Sequence, residues 1–136
     1  MPLPKSTTPV YELDLPSIKK KIKYRPFLVR EEKILILALE SENMKQITEA
    51  IKNVLSACIL TRGIKVDDLS TFDIEYLFLN VRGKSVGELI DVIVTCPDDN
   101  ETEVNVQINI DDIQVQMDPE HTRDIKLDDE LTLRMK

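Results

Sequence analysis

Three glycines in 136 residues are too few for the loops that cradle phosphates, which need glycine wherever backbone must crowd a ligand. A single histidine, His121, and two cysteines, Cys58 and Cys96, leave little from which to build a structural zinc site, which takes about four thiolate or imidazole ligands. No apolar run approaches the roughly 18 residues that cross a membrane, and the Met1 end has no apolar core of an export signal. The expectation is a cytosolic chain with free thiols, without cofactor, membrane or small-molecule substrate.

What the chain does have is a balance of 42% hydrophobic and 32% charged residues, that of a folded protein the size of one domain. Its net charge of −7 is unevenly spread. Residues 1–30 carry seven Lys and Arg against two acids, and residues 98–136 carry four against twelve. An acidic chain with a basic start lacks the continuous basic face that phosphate contacts need, so nucleic acid is not the expected partner. The polarity suits steering onto other proteins.

Residues 1–9, MPLPKSTTP, hold three of the seven prolines and read as an extended arm, either a loose terminus or a segment that orders against a neighbour. Residues 10–25 carry a hairpin signal. Tyr11, Leu13 and Leu15 alternate with Glu12 and Asp14, Pro16–Lys20 supplies the turn, and Ile22 and Tyr24 alternate with Lys21, Lys23 and Arg25. Lys19, Lys20, Lys21, Lys23 and Arg25 are the candidate partner-binding residues; the plainer reading is an edge strand kept soluble by its lysines.

Residues 30–84 read as helical. The apolar run Ile34–Leu39 favours a short buried helix, with Glu31 and Glu32 suited to a first turn, and an Ile-rich strand stays open. Met44, Ile47, Ile51, Val54, Leu55 and Cys58 recur at helical spacing and predict an amphipathic helix ended by Gly63, with Cys58 an inert core thiol. Ser70 and Asp73 form a variant capping box for a third helix that Gly83 should stop. Ile74, Leu77, Phe78 and Val81 fall on one face of it, and Phe72, Tyr76 and Leu79 on the other. A helix apolar on both faces is expected between two layers. Residues 88–136 alternate through Leu89–Thr95, Thr102–Ile110 and several shorter stretches, which predicts an antiparallel β-meander of four or five strands. The predicted fold class is α+β in a single domain: a β-hairpin, about three helices with the central one buried on two faces, and the meander.

Chemistry has few candidates. The Cys-Pro of the turn Thr95–Glu101 resembles half a zinc knuckle, but the positions where a second thiolate would stand are Asp98, Asp99 and Asn100. The acidic pairs Asp67–Asp68, Asp98–Asp99, Asp111–Asp112 and Asp128–Asp129 flank elements, where carboxylates cap turns, and none has calcium-loop spacing. His121 sits in a polar turn without a nucleophile motif. These patterns predict a non-enzyme with no catalytic, cofactor or metal residues.

The string FDIEYLFLNVRGKSVGE (72–88), the strand and Cys-Pro turn after it, and the amino-terminal PLPKSTTPVYELDLPS and KIKYRPFLVREEKILILALES resemble the baseplate hub subunit and hub-assembly proteins of T-even-like contractile-tail bacteriophages. The resemblance implies a viral structural or assembly protein of the tail. It would be made in the host cytoplasm and act through interfaces with other hub and tail proteins, the tape-measure protein included. The alternative it implies is a transient assembly chaperone absent from the finished virion. Members of that family continue past Lys136 with further helical sequence, so a shorter variant, or a chain that ends early, is expected.

Overall fold

In a computed structural model that describes residues 7–135, the chain is an α+β protein whose elements run β1 (Tyr11–Leu15), β2 (Lys20–Tyr24), α1 (Val29–Glu40), α2 (Met44–Cys58), α3 (Thr71–Val86), β3 (Leu89–Thr95), β4 (Glu103–Asn109), β5 (Asp124–Lys126) and β6 (Thr132–Arg134). Residues 1–6 of the predicted arm lie outside the described residues; residues 7–9 are exposed and irregular.

The core is small and forms where the first hairpin lies against α2 and α3. Leu15, Ile22 and Tyr24 from the hairpin meet Val54, Leu55 and Cys58 of α2, Leu77 and Val81 of α3, and Val66 of the connecting turn. Alternation explains the hairpin's part, since Tyr11, Leu13 and Leu15 share the inward face with Ile22 and Tyr24. The Tyr11 and Tyr24 rings meet with centroids 5.8 Å apart, and Lys84 of α3 lies 5.4 Å over the Tyr11 ring.

Helix α2 starts at Met44, and the Asn43 side chain caps it by accepting the Lys45 N–H at 3.0 Å. It ends at Cys58, five residues before Gly63. Ile59 bridges Tyr24, the Leu60 N–H donates to the Lys23 carbonyl at 2.8 Å, and the Arg25 N–H donates to the Cys58 carbonyl at 3.0 Å. These bonds to β2 take over from the helical ladder, and Gly63 serves instead in the following turn at φ 84°.

Helix α3 runs past Gly83 to Val86 and stops at Gly87, whose φ is 141°. Gly83 is needed for a different reason. Ile110, just after β4, packs so close that a Cβ at Gly83 would stand 3.1 Å from its Cδ1. One face of α3 is buried through Asp73, Leu77, Val81 and Gly83, with Ile74 and Phe78 half-buried beside it. The second apolar face is covered only in part: Tyr76 and Leu79 are half-buried and Phe72 is 37% exposed. The expected two-layer burial is therefore corrected to one full layer and one partly covered face.

Two further expectations change. The apolar run Ile34–Leu39 is helical within α1, but Ile34, Ile36, Leu37 and Leu39 are exposed, and only Glu31 of this helix is buried. The carboxyl-terminal strands form no meander. Among the described residues β1–β2, β3–β4 and β5–β6 are three separate two-stranded sheets, and residues 113–117 join no strand despite their alternation. Alternation marks an extended segment with two unlike faces, yet a ladder also needs a partner edge within reach.

Candidate partner-binding surface

The outward face of the first hairpin presents Lys21 and Lys23 opposite Asp14 and Glu12, with Lys19 and Lys20 at the turn end. Lys19 takes a left-handed φ of 48°, and its N–H closes the turn on the Leu15 carbonyl at 2.9 Å. Lys21 and Lys23 reach to 3.8 and 3.9 Å from Glu12, and both stay about 60% exposed. Exposed pairs of this kind contribute at most about 1 kcal/mol, so both ammonium groups can be redirected to a docking partner at small cost. The hairpin thus exposes four lysines and two acids, with Lys20 at the strand end on the side of Ile22 and Tyr24.

Arg25 does not join the four lysines. Its guanidinium forms a two-pronged pair with Glu31 at 2.7 and 3.0 Å, with the two side chains 12% and 4% exposed, and it also donates to the Pro26 carbonyl at 3.0 Å. Glu31 additionally accepts the Leu28 N–H at 2.6 Å, the helix-entry bond of a capping box. Arg25 thus fastens the end of β2 to the start of α1.

The hairpin turn is held in place from beneath. Asp73 is fully buried, and its carboxylate accepts the Ser17 N–H at 3.2 Å, the Ser17 hydroxyl, and the Ser70 hydroxyl at 2.9 Å. Ser70 sits at the N-cap of α3 but spends its hydroxyl on Asp73 instead of on backbone N–H. The basic turn is therefore mounted on the first turn of α3. Sequence reasoning placed Ser70 and Asp73 at a helix start, but nothing in local spacing points from Asp73 to Ser17, 56 residues away.

A second surface is the hairpin β3–β4. Its register places Ile90, Val92 and Val94 directly opposite Ile108, Val106 and Val104, so one face is entirely apolar. Val94, Val104, Val106 and Ile108 are 37–47% exposed. A two-stranded ribbon is marginal by itself, and one with an uncovered apolar face has a side that a neighbour can stabilise.

At the tip of that ribbon Asp99 accepts from the N–H groups of Glu101 and Thr102, both at 3.1 Å, and from the Thr102 hydroxyl. These bonds, the Thr102 hydroxyl first, pull its carboxyl down to about 2. Asp118 and Asp128 cap the turns before β5 and before β6 in the same way. Asp67 pairs with Lys52 at 3.0 Å, and the His121 N–H closes a turn on the Asp118 carbonyl at 3.0 Å. Among the described residues no three acidic, His or Cys side chains converge as metal ligands would.

Both thiols are free. Burial pushes Cys58 up to about 11, whereas Cys96 is partly exposed at the ribbon tip. Native protein treated with a thiol reagent at mildly alkaline pH is expected to label once, at Cys96, and twice in denaturant. Rapid double labelling of the native chain, read by mass spectrometry, would contradict the burial of Cys58.

No curated protein and no solved structure matches the chain. A protein family described as "T4 bacteriophage base plate protein" matches residues 8–136, from the last residues of the arm through all six strands and three helices. Basic hairpin, three-helix centre and uncovered apolar ribbon are thus the parts of one family unit, and the chain belongs to the T4 bacteriophage base plate protein family.

Proposed function

We propose that this baseplate-family chain is a component of the tail baseplate hub that works by protein–protein binding without catalysis. Its partners in this reading are other hub and tail proteins, the tape-measure protein among the candidates, met in the host cytoplasm during assembly. The observation that carries the reading is surface. The chain exposes 11,017 Å², about half as much again as the roughly 7,300 Å² expected of a compact monomer of its mass. Among the described residues, large apolar side chains stand exposed on β3–β4, on β5–β6 and on α1. Such surface is costly in water and is typical of subunits completed by neighbours.

Mass spectrometry of purified virions tests the assignment. A hub component is found in finished tails in a fixed ratio to other baseplate proteins. A chain required for assembly yet missing from finished tails acts as a transient chaperone instead. Lys19, Lys20, Lys21 and Lys23 are the residues proposed to dock on an acidic neighbour. Reversing Lys19, Lys20 and Lys21 to Glu is expected to cut incorporation into tails at least about tenfold at low salt, and added salt should lower wild-type incorporation but not that of the variant. Unchanged incorporation would leave the lysines as plain solvated charge.

A further inference from the structure

We infer that the outer face of α1 is a self-complementary interface at which two copies of this chain pair antiparallel, a contact independent of whether the chain stays in the hub. Helix α1 is held to the body through Glu31 and the half-buried Leu35 and Ala38. Among the described residues nothing covers its opposite side. At about 100° per residue, Lys33, Ile36, Leu37 and Glu40 share that outward stripe. Ile36 is 49% and Leu37 63% exposed, with Ile34 and Leu39 flanking them at 47% and 61%. A helix with apolar residues all round is normally covered all round.

Charge identifies the occupant. Lys33 lies one turn before Leu37 and Glu40 one turn after Ile36, about 10 Å apart along the axis. Neither makes an ion pair among the described residues. A two-fold axis passing midway between Ile36 and Leu37 is also midway between Lys33 and Glu40. Antiparallel pairing about that axis sets Lys33 of each copy against Glu40 of the other, and packs Ile36 against Ile36 on one flank of the stripe and Leu37 against Leu37 on the other. It also carries Arg30 toward the region of Glu42 in the second copy. Parallel pairing would instead oppose Lys33 to Lys33 and Glu40 to Glu40. An isologous contact needs a patch complementary to itself under a two-fold rotation, and this stripe has that property in both charge and apolar pattern.

The lateral edge of the stripe adds to the fit. Ile36 and Leu39 border a groove of about 400 Å³ between α1, α2 and α3, floored by Phe27, Ile47, Ile51 and Phe78. A rotation about an axis lying across both helices keeps like sides together, so the grooves of the two copies join into one apolar trough along the contact.

The full chain, followed by sedimentation velocity across a concentration series, is expected to show a monomer–dimer equilibrium that weakens with salt. Lys33→Glu and Glu40→Lys are changes at exposed positions that should leave the helix intact by circular dichroism, and each should weaken the dimer at least about tenfold by setting like charges opposite each other. The double variant K33E/E40K restores opposite charges at both ends and should return dimerisation to within about threefold of wild type. A wild-type chain that is monomeric throughout, an assembly that grows beyond two copies, or a double variant no better than the single ones would each overturn the assignment.

Discussion

Replacing Glu31 by alanine is expected to cost about 3–5 kcal/mol, measured by urea denaturation, because it strands the nearly buried Arg25 guanidinium without its partner. The Leu28 N–H loses its acceptor at the same time. Against a total of about 5–15 kcal/mol for a domain of this kind, such a loss threatens folding near physiological temperature. A cost below about 1 kcal/mol would show that water reaches the pair. The same group sets part of the acid limit. Hydrogen bonds from Arg25 hold the Glu31 carboxyl below its ordinary 4.5, working against burial and assisted by the Leu28 N–H. The unfolded chain therefore protonates this residue first as pH falls. The stabilisation is complete above about pH 4.5 and drains away as pH drops through the lower folded value. Glu31→Gln should be less stable at neutral pH and show a flatter decline between about pH 5 and 3.

Alanine at Asp73 is the second large loss, about 2–4 kcal/mol. Three donors, the Ser17 N–H and the hydroxyls of Ser17 and Ser70, converge on this fully buried carboxylate, and alanine leaves all of them unmet. The position at the start of α3 adds attraction to the positive end of the helix dipole, which alanine also forfeits. Asp73→Asn keeps an acceptor of the same shape and should lose about half as much. The effect reaches the surface, because Ser17 sits in the turn that carries Lys19 and Lys20. Hydrogen exchange of residues 15–20 should accelerate selectively in the alanine variant under conditions where the core of α2 stays protected. Equal acceleration everywhere would mean that Asp73 supports the whole fold and not the turn in particular.

The elements themselves were legible from the residues. Alternation located β1, β2, β3 and β4 to within a residue or so, and helical spacing located α2 and α3. The errors share one cause. A local rule makes Gly83 a helix stop, whereas its missing side chain makes room for Ile110 across the tertiary contact. Apolarity usually means core, which predicts burial for the run Ile34–Leu39, yet among the described residues nothing covers its outer side. Residues 113–117 alternate and still pair with nothing. Of the five candidate docking residues, the four lysines are spread exposed from the turn along β2, while Arg25 is drawn away by a carboxylate six residues on. An i to i+6 pair across a strand–helix junction follows no periodic pattern, so no spacing rule could have separated Arg25 from its neighbours.

Local physics suffices for what depends on neighbours in the chain: the hairpins β1–β2 and β3–β4, the span of α2, and the start of α3 at Ser70. Whatever depends on meeting a distant residue was settled by packing. Asp73 became the mount of a turn 56 residues away, β2 cut short the end of α2, and α1, β3–β4 and β5–β6 kept apolar faces uncovered. The reason is that burial belongs to a pair of surfaces and not to a sequence. A row of β-branched residues such as Val92, Val94, Val104 and Val106 states that a face must be covered, and only the assembled structure shows that this chain does not fully cover it itself.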